Sequence, residues 1–350
     1  MNLRRRLLPP ALIAPLVALL LASVVVSLTT ARFVDTQNFV NLALQVSIVA
    51  IMAIGSTIVI LTGGIDLSAG SMVAVLTMLM AMFITENQLP LGVAILLTIL
   101  IGSGLGAING LLVAYVRIPS FIATLATLSV FKGWAFLYNN GAPIFSVSPD
   151  LEPIFYDAVL GIPLPLFYVL GCFALAYLFL TYTAPGRAVY AVGGNESAAR
   201  FSGINVRRVR MIAFTLAGTT AGISSVLMAA RLNSGSPNYG AGMELEAIGA
   251  AVIGGASLAG GYGNIVATLI GALTIVVVQN GLNLNAVATP WQMITLGVII
   301  ALAVGFDSWR GAMARMTGRL LRRPPAAGEV EPSATQSPTA DGFGVTERPD

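Results

Sequence analysis

Residues 39–85 read FVNLALQVSIVAIMAIGSTIVILTGGIDLSAGSMVAVLTMLMAMFIT, which is two long apolar runs separated by a short glycine-rich break. Each run is long enough to cross a hydrocarbon core of about 30 Å as a helix that rises about 1.5 Å per residue. The one charged side chain of this stretch belongs to Asp66, which lies in the break. The pattern therefore predicts two membrane-spanning helices joined by an irregular connection.

Similar apolar runs recur through the first 310 residues and predict the fold class. The chain of 350 residues is 56% hydrophobic and 9% charged, whereas an ordinary soluble domain carries about 25% charged residues. We predict an all-α integral membrane protein with about ten transmembrane helices. The expected spans are residues 10–30, 39–62, 67–85, 90–116, 119–138, 163–184, 209–230, 244–259, 264–284 and 290–307.

Both chain ends lie outside the predicted transmembrane domain, residues 10–310. We predict that residues 1–9 are a cytoplasmic N-terminus, because the apolar run behind them is long and lacks a cleavage site typical of a signal peptide. Residues 311–350 are basic at first, and from about Pro324 they are rich in Pro, Ala, Thr, Ser and acidic residues. Such a composition cannot bury enough apolar surface to fold, so we expect a disordered cytoplasmic tail.

The basic residues predict the orientation of the spans. Fifteen of the 18 lie in segments that ten spans would place on one side of the membrane, and the exceptions are Arg32, Lys132 and Arg231. Because Lys and Arg resist translocation, this side, which holds both termini and residues 185–210, is predicted to be cytoplasmic. Residues 139–163 carry three acidic and no basic residues, and we predict that they lie on the outer side.

The glycine-rich break and several polar residues within the spans are candidates for a translocation path. A second string, residues 254–263, repeats the Gly-Gly, the Leu and a later Gly of the break at the same spacing. Broken helices at matching positions of two repeats often expose helix ends to a path, although two tight turns would leave the same pattern. The path candidates are Gly63, Gly64, Asp66, Ser68, Asn109, Gln279 and Asn280.

Structural roles are the alternative for these residues. The three amides could form interhelical hydrogen bonds, and Asp66 is placed to cap the helix that follows it. Lys132 could extend its ammonium group toward the outer face. The small-residue runs 102–107 and 218–222 predict helices that pack closely together.

Residues 185–210 contain the pattern of a short capped helix. Asn195 is an N-cap residue, Glu196 stands in the first turn and Gly203 is a helix stop. The small side chains of Ala198 and Ala199 would let this helix approach a partner closely. The pattern leaves two interpretations open, a helix that docks on a partner protein or a surface helix held against its own bundle.

The sequence resembles the ribose-type (monosaccharide) permeases of bacterial ABC importers, which are binding-protein-dependent transport systems. The blocks that carry the resemblance are residues 63–71, 186–205 and 248–263, supported by residues 109–113 and 117–125. The resemblance implies the type II importer permease fold, which is built from two inverted five-helix halves. The two Gly-Gly strings lie six predicted spans apart and so share one orientation. Either their similarity is accidental, or residues 244–259 are re-entrant.

The resemblance also implies a function and partners. Members of the family form the transmembrane channel of an ATP-driven importer of a sugar or similar small polar solute in the bacterial inner membrane. The implied partners are a second permease copy, a cytosolic ABC ATPase dimer that binds ATP and Mg, and a periplasmic or lipid-anchored solute-binding protein. The chain itself is expected to be no enzyme and to bind no cofactor, metal or nucleic acid.

Importer permeases carry a coupling motif of the form Glu-Ala-Ala-x-x-x-Gly, which contacts the ATPase. Residues 197–203 match this motif except for Ser197 in the first position. By resemblance, the ATPase-coupling residues are Gly194, Asn195, Glu196, Ser197, Ala198, Ala199, Arg200 and Gly203.

The main alternative function is that of an ion-coupled secondary transporter of a small polar solute. Such a transporter usually needs an ionisable relay near the membrane midplane, and the candidates are Lys132 and Asp66. An enzyme is disfavoured because the chain has no histidine for a Ser-His pair or a metal site. Lys132 is the only lysine and is followed by Gly133, so the chain has no phosphate-binding P-loop, and ATP hydrolysis would need another subunit.

Overall fold

The computed structural model describes residues 10–321, with the side chains of residues 11–305. The chain divides into two compact units, of which the first ends at Asp307. Residues 308–321, the described part of the second unit, are helical. The predicted N-terminus, residues 1–9, and residues 322–350 of the predicted tail lie outside the described residues.

Helices make up most of the described residues, and four two-residue strands form two small antiparallel pairs. The strands β1 (Ile144–Phe145) and β4 (Ser234–Gly235) pair with each other, as do β2 (Ala158–Val159) and β3 (Ile162–Pro163). The helices are α1 (Pro10–Thr29), α2 (Thr36–Leu61), α3 (Ala69–Thr85), α4 (Leu91–Leu111), α5 (Ser120–Leu137), α6 (Glu152–Tyr156), α7 (Leu164–Tyr182), α8 (Ala184–Gly194), α9 (Glu196–Phe201), α10 (Val206–Leu232), α11 (Met243–Ile253), α12 (Ile265–Leu284) and α13 (Thr289–Leu321).

Seven of the described helices are long and apolar enough to cross a membrane, namely α1, α2, α4, α5, α7, α10 and α12. Shorter apolar helices cover Ala69–Thr85 and Thr289–Gly305, and α11 has only 11 residues. The all-α membrane fold is therefore confirmed, and the count of ten spans stays a prediction. Prolines at positions 90, 119 and 163 immediately precede α4, α5 and α7, where the fixed backbone angle of proline suits a helix start.

The loops of the bundle gather at two ends. At one end, which we call the basic end, the backbone N–H of Gly261 donates to the carbonyl of Leu61 at 3.0 Å, and the Tyr190 hydroxyl donates to the carbonyl of Gly263. At the other, the acidic end, the Tyr156 hydroxyl donates to the carbonyl of Arg231 at 2.9 Å. The contacting loops at each end are those that the charges predict to share one side of the membrane. Which end faces the cytoplasm stays a prediction.

Helix α2 lies at the centre of the bundle, and small residues let its neighbours pack closely. Within its apolar window, 94% of the residues of α2 are buried, against 28% for α4. Helices α4 and α10 are antiparallel and meet at the predicted small-residue runs. A methyl group added to Gly102 would lie 2.7 Å from the carbonyl oxygen of Gly218, and one added to Gly222 would lie 2.9 Å from the Ile99 Cα. The prediction of close packing is confirmed.

Two crossings of the bundle are only partly helical. Residues 62–68, which we call the first break, are irregular and lead from the basic end into α3. Residues 233–242, the second break, contain the short strand β4 and are otherwise irregular. They lead from the acidic end into α11. Each crossing therefore consists of an irregular segment followed by a helix, and the two run in opposite directions.

The second break runs along α3 within the bundle. Gly235 packs on Thr77, and Gly240 packs on Gly70, two helical turns or about 10 Å further along α3. Helix α11 then continues, and the loop after it reaches the basic end at Gly261. Residues 233–264 thus run from one end of the bundle to the other, which favours a crossing over the re-entrant alternative.

The sequence prediction for this region needs two corrections. The predicted span 244–259 ends early, at Ile253, because Gly254 follows as the C-cap and Gly255 adopts a left-handed conformation with φ of 84°. The two Gly-Gly strings do not mark matching breaks either, since Gly260 packs directly on Gly63 at the basic end. In the ten-span numbering, α3 and α11 fall in the third and eighth spans, the pair that two inverted five-helix halves would relate.

Candidate functional site

Helix α9 is a short helix at the basic end that is capped at both termini. The Asn195 Oδ1 accepts a hydrogen bond from the backbone N–H of Ala198 at 2.9 Å. At the other terminus Gly203 has a φ of 81°, and the N–H of Ile204 donates to the carbonyl of Ala199. This arrangement is a Schellman cap. The predicted start and stop of the helix are confirmed.

Glu196 anchors α9 to the rest of the bundle. Its two carboxylate oxygens accept hydrogen bonds from Arg200 at 2.7 Å and from Arg210 of α10 at 2.6 Å. Helix α8, which directly precedes α9, is itself packed on the bundle through the buried side chains of Val189 and Val192. The polar contacts of Glu196 are thus made within this chain, and the helix is held in a fixed orientation.

The exposed side of α9 differs from the predicted contact set at two residues. Ala199 is only 4% exposed and faces its own bundle, whereas Ser197 and Ala198 are exposed. Phe201, which the sequence analysis missed, is 93% exposed at the end of the helix. An aromatic residue in a helix too short to bury both faces was the available signal. Aromatic residues are enriched in the contact surfaces of proteins.

A cavity of about 790 Å³ lies beside α9 at the basic end. Its wall includes the predicted path residues Gly63 and Gly64, together with residues from α9, α10 and the start of α5. Four arginines line it, namely Arg117, Arg200, Arg207 and Arg210. The two glycines therefore lie at the basic end, in the same cavity wall as Glu196 and Arg200 of α9.

A chain of hydrogen bonds joins three other path candidates inside the bundle. Thr127 donates to the Asn109 Oδ1, Asn109 donates to the Ser68 Oγ, and Ser68 donates to the Asp66 Oδ1, each at 2.7 Å. Asp66 also accepts from the backbone N–H of Ser68 at 2.9 Å. Because Ser68 is the N-cap residue of α3, Asp66 binds the residue before the helix, and its predicted role as a helix cap is wrong.

Charged groups near these hydrogen bonds contact α3 and the second break. The second oxygen of the Asp66 carboxylate is buried and has no hydrogen-bond partner among the described residues. Glu244 of α11 packs on Gly70 in the first turn of α3. Lys132 donates to the carbonyl of Pro237 in the second break at 2.9 Å. Its ammonium group is thus bound within the bundle.

The remaining two path candidates lie on α12 and have separate partners. The Gln279 amide donates to the Glu246 Oε1 at 2.6 Å, and both side chains are half-buried. Asn280 exchanges two hydrogen bonds with Asn38, at 2.8 and 3.0 Å, and both of these residues are buried. The Asn280 pair is an interhelical contact, which was the alternative prediction for the amides.

Comparison with known proteins identifies the family. Residues 38–304 match the family model described as branched-chain amino acid transport system / permease component. The ribose import permease protein RbsC of Escherichia coli is 43% identical over 297 residues, which cover 84% of this chain and 92% of the relative. The same protein of Bacillus subtilis is 40% identical over 302 residues, 86% of this chain and 94% of the relative.

A third relative and the solved structures complete the comparison. The D-allose transport system permease protein AlsC of Escherichia coli is 35% identical over 281 residues, 80% of this chain and 86% of the relative. No solved structure matches the chain. The family match begins after α1 and includes both breaks and α9. The chain therefore belongs to this family of transport-system permeases and is a ribose-type ABC permease, a multi-pass membrane protein.

Proposed function

We propose that the chain is the transmembrane channel subunit of an ATP-driven importer of a monosaccharide. Relatives that match at least 80% of the chain are named for the import of ribose and the transport of D-allose. Both are sugars of similar size with several hydroxyl groups. ATP would be hydrolysed by the separate ATPase that this family implies, and that subunit would bind the ATP and Mg.

The observation that carries the proposal is the exposed surface of α9. Two caps and the bonds from Glu196 to Arg200 and Arg210 fix the helix. Ser197 and Ala198 leave room for close approach, and Phe201 offers a large apolar side chain to a groove. A cytosolic ABC ATPase dimer would bind this surface on each of two permease copies. Of the predicted coupling residues, Ala199 and Glu196 would then orient the helix rather than contact the ATPase.

The second break and α11 are the proposed lining of the sugar path. Non-helical backbone within the bilayer is tolerated only where it is buried in protein or lines water. In the second break, Asn238 and Ala241 are exposed, and Leu245 of α11 is 44% exposed. A water-filled path or the second permease copy must therefore cover this face.

Glu246 and Gln279 are the proposed sugar-contacting pair of this path. Both are half-buried, and a carboxylate and an amide supply the acceptors and donors that sugar hydroxyls need. Gln279 remains a path candidate on this basis, and Glu246 is added to the predicted set. Asp66, Ser68 and Asn109 would instead hold the first break in place.

The proposed location is the bacterial inner membrane, with the basic end and both termini in the cytoplasm. This orientation is supported by the arginines at that end and by the acidic residues 150, 152 and 157 at the other. The acidic end would receive the sugar from a periplasmic or lipid-anchored binding protein.

Uptake into proteoliposomes tests the proposal. The permease, reconstituted with its ATPase and binding protein, should take up labelled ribose only when ATP is supplied on the side of the basic end. Uptake that continues without ATP and follows an ion gradient would instead make the chain a secondary transporter.

Substitutions on α9 test the docking surface. Ala198→Glu should abolish both uptake and ATPase copurification at normal membrane abundance, because the new charge would be buried without a partner. The matched control is Ala142→Glu, an exposed alanine at the acidic end, which should leave ATPase copurification and membrane abundance unchanged. Ala199→Glu should lower abundance as well, because Ala199 is buried against its own bundle. Normal uptake in Ala198→Glu would exclude α9 as the coupling helix.

A further inference from the structure

The cavity beside α9 carries a strong excess of positive charge. Its wall contains four arginines and one acidic residue, Glu196, which is already bound to Arg200 and Arg210. The salt bridges among the described residues involve neither Arg117 nor Arg207. These two guanidinium groups are exposed, and both are free to bind an anion.

Two helix N-termini add to this positive potential. Helix α5 begins at Ser120 and helix α10 begins at Val206, and both residues line the cavity. The N-terminus of a helix carries a positive partial charge and favours phosphate groups. The planar guanidinium group of arginine matches phosphate oxygens with two parallel hydrogen bonds. The cavity is thus suited to a phosphate group in particular.

An apolar surface that faces outward from the bundle begins directly beside the cavity. Tyr115, Val116, Phe121 and Ile122 flank Arg117 in the sequence and are each between 50% and 55% exposed. The guanidinium carbon of Arg207 lies 6.0 Å from the centre of the Tyr115 ring. Basic pockets at the ends of membrane helices bind the headgroups of anionic lipids, whose acyl chains need such an apolar neighbour.

We propose that this cavity binds the phosphate headgroup of an anionic phospholipid from the adjacent leaflet. Arg117 and Arg207 contact the phosphate, and the acyl chains lie along the apolar surface formed by Tyr115, Val116, Phe121 and Ile122. A free phosphate ion would make the same contacts with the arginines but would not use the apolar surface. The proposal goes beyond sugar transport and requires only that the chain spans a membrane.

Lipid binding to the purified full-length permease tests the proposal, with phosphatidylglycerol and phosphatidylcholine as the probes in native mass spectrometry. Phosphatidylglycerol should bind more tightly than phosphatidylcholine. Arg117→Ala and Arg207→Ala should each weaken phosphatidylglycerol binding by about tenfold or more, the effect of losing one charge-assisted contact. Arg208→Ala is the matched control, because Arg208 is exposed on the same turn but does not line the cavity. It should bind phosphatidylglycerol as the parent protein does.

Further measurements separate the other outcomes. The thermal unfolding temperature of Arg117→Ala and Arg207→Ala should equal that of the parent protein. Arg117→Lys and Arg207→Lys should bind phosphatidylglycerol more weakly than the parent but better than the Ala variants. Equal binding of both lipids, or an equal loss in Arg208→Ala, would overturn the proposal. The proposal would also be overturned if inorganic phosphate bound to the delipidated protein without reducing the binding of phosphatidylglycerol. Loss of ATPase copurification with unchanged lipid binding would assign the arginines to the ATPase instead.

Discussion

Each of the two partly helical crossings consists of an irregular segment followed by a helix, but the two irregular segments differ in burial. In the first break, Asp66 and Ser68 are buried, and hydrogen bonds from Asn109 and Thr127 complete the cluster. In the second break, residues 234–237 are also buried, but Asn238 and Ala241 are exposed. The first break is thus sealed by side chains, whereas the second is packed on α3 along part of its length and exposed at Asn238 and Ala241. We infer that the first break is structural and that the second lines the path.

The largest effect is expected where the second break packs on the first turn of α3. Gly70→Val should lower the free energy of unfolding by about 3 kcal/mol, because a side chain there would overlap Glu244 and Gly240. Thermal unfolding in detergent measures the change. Gly104→Val is the matched control, since Gly104 has open space around its Cα and should tolerate the branched side chain. Equal stability of the two variants would mean that the second break does not pack on α3 at Gly70.

A smaller loss of stability is expected from a substitution that affects only the first break. Asn109→Leu removes the hydrogen bonds to Ser68 and from Thr127, and it should cost about 1–2 kcal/mol. Membrane abundance and thermal unfolding should both fall. Asn238→Leu, which changes the same residue type in the exposed break, should leave both unchanged. If Asn238→Leu were less stable than Asn109→Leu, the assignment of the first break as structural and of the second as path-lining would be contradicted.

The smallest change concerns the proposed sugar contact. Glu246→Gln keeps the size of the side chain and an acceptor for Gln279, but it removes the charge that strengthens hydrogen bonds from sugar hydroxyls. The uptake rate per permease should fall about tenfold, equivalent to about 1.4 kcal/mol, at normal abundance and normal ATPase copurification. Glu86→Gln, on an exposed residue at the acidic end, is the control. An unchanged rate in Glu246→Gln would remove Glu246 from the path.

Features that depend on neighbouring residues could be predicted from the sequence. The helix bounds follow from apolar runs that end at Gly or Pro, and both caps of α9 follow from Asn195 and Gly203. The glycine runs on α4 and α10 also predicted their own packing. In each case the signal is local, because the residue that starts, ends or narrows a helix lies in that helix or next to it.

Features that depend on distant residues could not be predicted in this way. The second break has the Ser, Gly, Pro and Asn content of a surface loop, and only its packing along α3 places it within the bundle. Asn280 and Asn38 are 242 positions apart, so neither residue indicates the other. The burial of Ala199 but not of Ala198 depends on the orientation of α9 that Glu196 and Arg210 fix.

Thiol labelling tests most directly whether the path follows the second break. In a Cys172→Ser background, which removes the chain's only cysteine, Asn238→Cys and Ser68→Cys are each treated with a membrane-impermeant maleimide during transport. Labelling after denaturation shows that both thiols can react. We predict that Asn238→Cys is labelled in the folded importer, that sugar-loaded binding protein with ATP changes its labelling rate, and that Ser68→Cys is not labelled. Labelling of Ser68→Cys that responds to sugar, with Asn238→Cys unreactive, would contradict the account.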